Sequence, residues 1–413
     1  MISTPHRGRA DFTLLCLGQL VSQFGDSIFH IGLLWLALDL TGSRSGTGLI
    51  AASAYLPVIL LSLAAGVVVD RLDRRRLMMA CAGLQGLVVA CVPALHAAGW
   101  LSGPALAAVA FGLAAGAAFF NPARDALVPQ LVGPEGLTRA NSFVQVTAQL
   151  AYMAGPAAAG LLVAWVGLVH LFTIDAATFV FSLLTLWLIR SRPARLGAIE
   201  PGPAIPPQVP PVASSMADVA AGLRLAWKDS RLRGLLFITA VDNLIIMGPA
   251  IVGMPIYVRD VLGGGAEAYA ALTAVLFAGM VSTSLLIGFR GAAWPKGKLI
   301  AVGMLLDGAS FTPLALIDSF SWAAVALFVH GLTVPLLVVP RTTLVQQIVP
   351  DASRGRIFAL LNISVVGFTA LSTALTGLVA EFVDMGTLYL AIGIAGAACG
   401  LVSFGFRSLL GVR

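Results

Sequence analysis

Apolar runs of roughly 20 residues recur along the whole chain, each broken by a short cluster of charged, Pro or Gly residues, and each is long enough to cross ~30 Å of hydrocarbon as a helix. In order they predict spans near 12–38, 46–69, 77–96, 101–120, 141–166 and 168–189, then 235–257, 269–289, 299–317, 323–339, 357–380 and 387–406. Between the fourth and fifth spans, 121–140 reads as a polar connection carrying Arg124, Asp125, Glu135 and Arg139. Midway, 200–211 holds six prolines, a composition that favours extended chain over a packed core. This break divides the chain into a six-span bundle (1–190), a linker (191–233) and a second six-span bundle (234–413). Within the linker, Val219, Leu223, Ala226 and Trp227 share one helical face and Arg224, Lys228 and Arg231 another, the pattern of a helix lying in a membrane interface.

Composition sharpens this pattern. Hydrophobic residues make up 58% of the 413 positions and charged residues 11%, with a mean hydropathy of +0.94. A water-soluble enzyme carries about 25% charged residues and a disordered chain is far less apolar, so both are excluded and an all-α polytopic membrane protein remains. The net charge of +6 is spread over separate connections. With both termini and the even-to-odd connections on one side, 23 of the 25 Lys and Arg share that side, and only Arg44 and Arg259 face the other. By the positive-inside bias that side and both termini are cytoplasmic, and no concentrated basic face remains for nucleic acid.

Chemistry other than transport finds no support. Cys16, Cys81, Cys91 and Cys399 lie singly in apolar runs, without metal-ligand spacing. There is no P-loop, no HExxH and no GxSxG. The residue pattern therefore calls for no metal, no cofactor and no enzymatic activity. His6, Arg7 and Arg9 precede the first span without a small-residue cleavage signature, so that span is read as retained.

The two halves repeat. Residues 124–132 align with 341–349 without gaps at an offset of 217, with five of nine positions identical, and the pair is headed by Arg124 and Arg341. Duplicated halves are a signature of several transporter folds. The same offset places Asp26 on Asn243.

The segment from Gly66 through Asp70, Arg71, Asp73, Arg74, Arg75 and Arg76 to Leu77 resembles the loop signature of the major facilitator superfamily, G-x-x-x-D-R-x-G-R-R/K, with Asp73 where that pattern has Gly. The Asp form, together with 119–124 and 140–142, is similar to a branch of twelve-span macrolide, multidrug and enterobactin exporters. Gly155, Pro156 and Gly160 resemble the antiporter signature G-P-x-x-G-G, with Ala159 at one glycine. The resemblance implies two pseudo-symmetric six-helix bundles and proton-coupled efflux of amphipathic small molecules across a bacterial inner membrane. It also implies that Gly66, Asp70 and the neighbouring arginines steady a cytoplasmic interface between the halves, in a protein acting as a monomer. A dedicated siderophore exporter, a lysophospholipid translocator and a non-transporting sensor on the same fold remain open.

Acids deep within spans are functional candidates because an unpaired charge there is costly. Asp26, His30, Gln23 and Gln19 form one polar stripe on the first span. The resemblance sets this stripe beside a central cavity, where Asp26 would exchange protons. Asp242 and Asn243 occupy the related neighbourhood of the seventh span; Asp242, about two turns from its cytoplasmic end, reads as a solvated or salt-bridged acid or as a coupling or gating residue. The resemblance puts Asp175 and Asp307 at the periphery of each half, in structural roles. His330 and Asn362 are weaker cavity candidates. Phe24, Trp35, Phe143, Tyr152 and Phe368 are candidate aromatic contacts for substrate, although each singly reads first as a core or lipid-facing side chain. Every Lys and Arg maps to a loop or helix end, which counts against an anionic substrate.

Overall fold

The structure, a computed structural model, describes residues 5–132, 137–189, 216–290, 294–349 and 351–411, in which every regular element is helical. The first half holds α1 (Pro5–Thr41), α2 (Arg44–Ser53), α3 (Leu56–Arg71), α4 (Arg74–Ala97), α5 (Gly103–Val132), α6 (Leu137–Val166) and α7 (His170–Leu188). After the linker helix α8 (Met216–Lys228) come α9 (Ser230–Ile245), α10 (Met254–Asp260), α11 (Ala266–Arg290), α12 (Lys296–Ala309), α13 (Phe320–Ile348), α14 (Asp351–Val379), α15 (Met385–Ser403) and the short α16 (Arg407–Leu410). Eleven helical segments are long and apolar enough to cross a membrane, and α6 adds the shorter apolar run Leu150–Val166. The proline-rich stretch 200–211 lies outside the described residues.

Three predicted spans are broken in two. The second is α2 followed by α3, the seventh is α9 and α10 joined by a π-helical turn at Pro249–Gly253, and the ninth is α12 followed by a 3-10 turn at Thr312–Ala315. Pro57, Pro249, Pro255 and Pro313 each stand at the first or second position of a new segment, where a missing N–H costs least. Two spans are longer than predicted. The 121–132 stretch continues α5, and Arg341 lies inside α13. Leu127, Val128 and Leu131, like Leu344 and Val345, are buried on one face of these extensions, and that burial holds a helix which composition alone reads as a connection.

Packing fixes which face of α1 looks inward. Gly18, Gly25 and Gly32 recur every two turns, and each lies where a Cβ would strike α7: at Thr185, at Asp175 and Thr178, and at Phe172. This close contact sets α1 against α7. The stripe of Gln19, Gln23, Asp26 and His30 is thereby turned towards the interior of the molecule.

Three apolar cores hold the bundle. One draws only on residues 15–189, another only on 226–409, and the third combines both halves, with Leu34, Trp35 and Ala51 meeting Tyr257, Tyr269 and Tyr389. The halves are therefore fused in one layer and carry separate cores at the other end. The fused layer lies near Arg44 and Arg259, at the cation-poor end. There Arg44 pairs with Asp260 at 2.6 Å and donates to the Ala380 carbonyl, while Glu381 accepts from Ser43 Oγ (2.7 Å) and from Ser45 N (3.0 Å). These hydrogen bonds hold the Glu381 carboxyl well below its usual range, at about 2. Gly48 of α2 crosses Gly377 of α14 so closely that a Cβ would lie 2.6 Å from the Thr373 carbonyl oxygen. Exposed Trp100, Trp165 and Trp322 ring this end, and Trp187 and Trp227 the other, as side chains at two membrane–water boundaries do.

Candidate functional site

Between the halves lies a cavity of about 1000 Å³ that runs from Leu34, beneath the fused layer, to Arg124 and Arg341 where the cores separate. Its N-terminal wall carries Asp26, His30, Gln23 and Tyr152, and its C-terminal wall carries Asp242, Asn243, Asp307 and His330. Phe29, Phe120, Phe179, Phe277 and Phe311, with Met247, Met254 and Met280, make the rest largely apolar.

Asp26 Oδ1 is buried and has no hydrogen-bond partner among the described residues. Behind it, across Gly25, stands Asp175, fully buried on α7, whose Oδ1 takes the Thr178 hydroxyl at 3.2 Å while its Oδ2 is also unpartnered among the described residues. His30 is open to the cavity and meets the Phe29 ring edge to face at 5.8 Å. Gln19 accepts from Arg124 at 3.3 Å, and Arg124 also pairs with Asp125 at 2.9 Å.

In the C-terminal wall, Asp242 Oδ1 is likewise buried without a partner among the described residues, within coulombic range of Asp307 and Arg341. Asn243 instead donates to the Thr239 carbonyl of its own helix (2.8 Å) and accepts from Thr369 of α14 (3.2 Å), a bond that ties α9 to α14. Asp242 is buried three turns into α9, further from the helix end than the span prediction placed it.

Several expectations change. Asp307 is not peripheral: it lines the cavity beside His330. Gly303 presses on Leu336 and Leu337 of α13, and Gly308 on Gly396 of α15, which turns the intervening carboxylate inward. Arg124 and Arg341 do not sit in loops but line the cavity from within α5 and α13, so the argument that no cation faces a substrate fails. Of the five aromatic candidates only Tyr152 is among the lining residues. Trp35 instead stacks on Tyr269 of the other half at 6.4 Å, and Phe143 packs against Phe12. Asn362 is exposed on α14 and is not among the lining residues.

The two signature segments take different places. Gly66 and Asp70 fall in α3, and the Asp70 side chain lies outside the described residues. Arg71 and Arg76 are exposed, Arg74 is half-buried, and Arg75 donates to the carbonyls of Leu186 (2.7 Å) and Trp187 (2.5 Å) at the end of α7. Asp73, the departure from the signature, caps α4 by accepting from Arg76 N at 2.8 Å. Gly155 packs on Ser27 of α1, and Pro156 lines the cavity. A Cβ on Gly160 would lie 3.1 Å from that of Ala270, where α6 of one half meets α11 of the other.

The family model described as Major Facilitator Superfamily matches residues 15–364. The chain is 26% identical over 405 residues to the multidrug efflux pump Tap of Mycolicibacterium fortuitum, covering 96% of this chain and 95% of that one. It is 26% identical over 360 residues to macrolide efflux protein A of Streptococcus pyogenes, covering 84% of each. The crystal structure of the nucleoside transporter NupG superposes with a TM-score of 0.76 at 12% identity, over 98% of this chain and all of that one, which shows the shared fold. The chain belongs to the major facilitator superfamily, a family of secondary transporters rather than enzymes.

Proposed function

We propose that the chain is a proton-coupled exporter that carries amphipathic, cationic small molecules out of a bacterial cytoplasm by alternating access, with the cation-rich end cytoplasmic. The single observation that carries this reading is Asp26: a buried carboxylate oxygen with no partner among the described residues, on the wall of a largely apolar cavity between two halves joined at one end only. A carboxylate so placed is stable when it binds a proton or a cationic substrate, and exchanging one for the other is antiport. Four acids in or beside the cavity, Asp26, Asp175, Asp242 and Asp307, outnumber the two arginines, and aromatic and Met side chains suit flat apolar cations. The efflux relatives agree in class. Both walls come from one chain, so a monomer suffices. Fused at the cation-poor end, the halves stand in the state that loads from the cytoplasm.

Arg124 and Arg341 favour a second reading, an exporter of anionic or zwitterionic molecules such as siderophores or lysolipids. Each already has an acid close by, Asp125 or Asp242, which leaves less charge for a ligand.

The test is uptake of erythromycin and of ethidium into everted membrane vesicles with and without an imposed proton gradient. Uptake by the wild type should require the gradient, and Asp26→Asn should lower it at least tenfold. Undiminished uptake in Asp26→Asn would remove Asp26 from the mechanism, and a wild type that moves neither compound would favour the second reading. Asp70→Asn should slow turnover in the same assay while leaving dye binding intact, if the loop steadies the interface between the halves.

A further inference from the structure

The C-terminal wall contains a polar cluster that the coupling role of Asp26 does not use. Asp307 at the end of α12 and His330 of α13 face each other with Asp307 Oδ1 3.5 Å from His330 Nδ1, and both are buried yet line the cavity. Ser310 Oγ lies 2.7 Å from His330 Nδ1 and 2.5 Å from the Asp307 carbonyl oxygen. A hydroxyl has one proton to give, and a carbonyl can only accept. Ser310 therefore donates to that carbonyl, and Nδ1 must be the ring nitrogen that carries hydrogen and donates to Ser310. The other nitrogen, Nε2, keeps its lone pair and makes no hydrogen bond among the described residues.

Thr333 completes the arrangement. Its Oγ1 stands 2.9 Å from Asp307 Oδ1 and 2.7 Å from the His330 carbonyl oxygen. When the carboxylate is ionised, the hydroxyl donates to it. When the carboxyl carries the proton, it donates to Thr333, and Thr333 turns to the carbonyl. The site is thus hydrogen-bonded in either charge state, which a purely structural pair does not require.

We propose that the Asp307–His330 pair is a second proton-binding site, in the C-terminal half and separate from Asp26. Loading moves one proton from water in the cavity to the Asp307 carboxylate, which then donates to Thr333 Oγ1 while His330 stays neutral; release returns that proton to the cavity. The charged groups facing the pair are few. From α9 comes Asp242, with Arg341 of α13 beyond it. From α15 comes the uncharged Tyr389, 5.6 Å from the Phe311 ring that in turn packs on His330 at 4.5 Å, while Cys399 of the same helix lies towards Asp242. From α11, which Gly331 admits to close contact at Leu276, no charged side chain occurs between Glu267 and Arg290. With Asp26 in one wall and this pair in the other, each half presents a proton site to the same cavity. The proposal rests on the proton-coupled reading for its use in transport, but the proton site itself is measurable without any substrate.

Aspartate-selective 13C solid-state NMR of the full chain in phosphatidylethanolamine–phosphatidylglycerol liposomes tests it, with Asp307→Asn identifying the resonance. In the wild type, the Asp307 carboxyl carbon should change from the ionised to the protonated form between pH 8 and pH 5. Thr333→Val should displace that midpoint by at least tenfold in proton concentration, His330→Gln should displace it in a cavity otherwise unchanged, and Asp26→Asn should leave it in place. An Asp307 carboxyl that stays in one form from pH 8 to 5, or a midpoint indifferent to Thr333→Val, overturns the proposal. If Asp307 titrates but the vesicles show no gradient-dependent uptake, the export reading fails and the proton site stands.

Discussion

At the scale of single residues, the chain's departure from a family signature has a local physical cause. Asp73 stands where the signature has Gly and accepts the Arg76 N–H at the start of α4, satisfying one of the donors that a helix start leaves free. Asp73→Ala should therefore cost about 1 kcal/mol, while Asp73→Asn, also a good cap, should cost little. Thermal unfolding of the purified variants in detergent separates the two. Gly25 has a different constraint. A methyl there would enter the space of Asp175 Oδ1 and the Thr178 hydroxyl, so Gly25→Ala should push α1 from α7, displace Asp26 and reduce gradient-driven uptake. The polar stripe of Gln19, Gln23, Asp26 and His30 is legible in the sequence because residues spaced by three and four share a helical face. The Asp307–His330 pair is not, because its members lie 23 positions apart on two helices that only packing brings together.

At the scale of elements, periodicity and length gave the spans, and proline and packing corrected their ends. The crossing of α2 and α14 joins the halves at the cation-poor end, where Gly48 and Gly377 bring the two backbones together. Gly48→Leu should hold that end open, seen as a longer distance between spin labels on α2 and α14. Gly83, where an added methyl would meet nothing within 4 Å, supplies the control: Gly83→Ala should change neither distance nor uptake. The extensions of α5 and α13 were hidden in the sequence because charged residues at a helix end look like those of a loop. Only the burial of Leu127, Leu131 and Leu344 distinguishes them.

At the scale of the whole molecule, polar contacts at the rim add to the shared apolar core that joins the halves at one end. Arg44–Asp260 is partly exposed, and such a pair contributes about 0.2–1 kcal/mol. That is enough to move a two-state population up to roughly fivefold, so Asp260→Asn should raise the fraction with the cation-poor end open, and more so at low salt than at high. Glu381 adds a contact that keeps its charge near neutral pH. Its carboxyl is held down to about 2 by Ser43 and Ser45, so its contribution is fully present above the usual glutamate range and is lost as pH falls towards 2. The Glu381 contribution should accordingly be flat from pH 8 to 5, so Glu381→Gln should weaken closure by the same factor at every pH in that range, measured by the same labels.

The sequence by itself determined the class of the molecule, because burial of about 20 consecutive apolar residues has few solutions outside a bilayer. It also determined the doubling, through the matched segments headed by Arg124 and Arg341, and the polar stripe on α1, which follows from helical period alone. Tertiary structure decided which faces meet. Glycine contacts on α1, α2 and α12 choose the rotation of each helix, and a rotation of one residue, about 100°, separates lipid from cavity. For that reason Asp307, Arg124 and Arg341 reach the cavity while Trp35 and Phe143 do not, although nothing in their local sequence differs enough to say so.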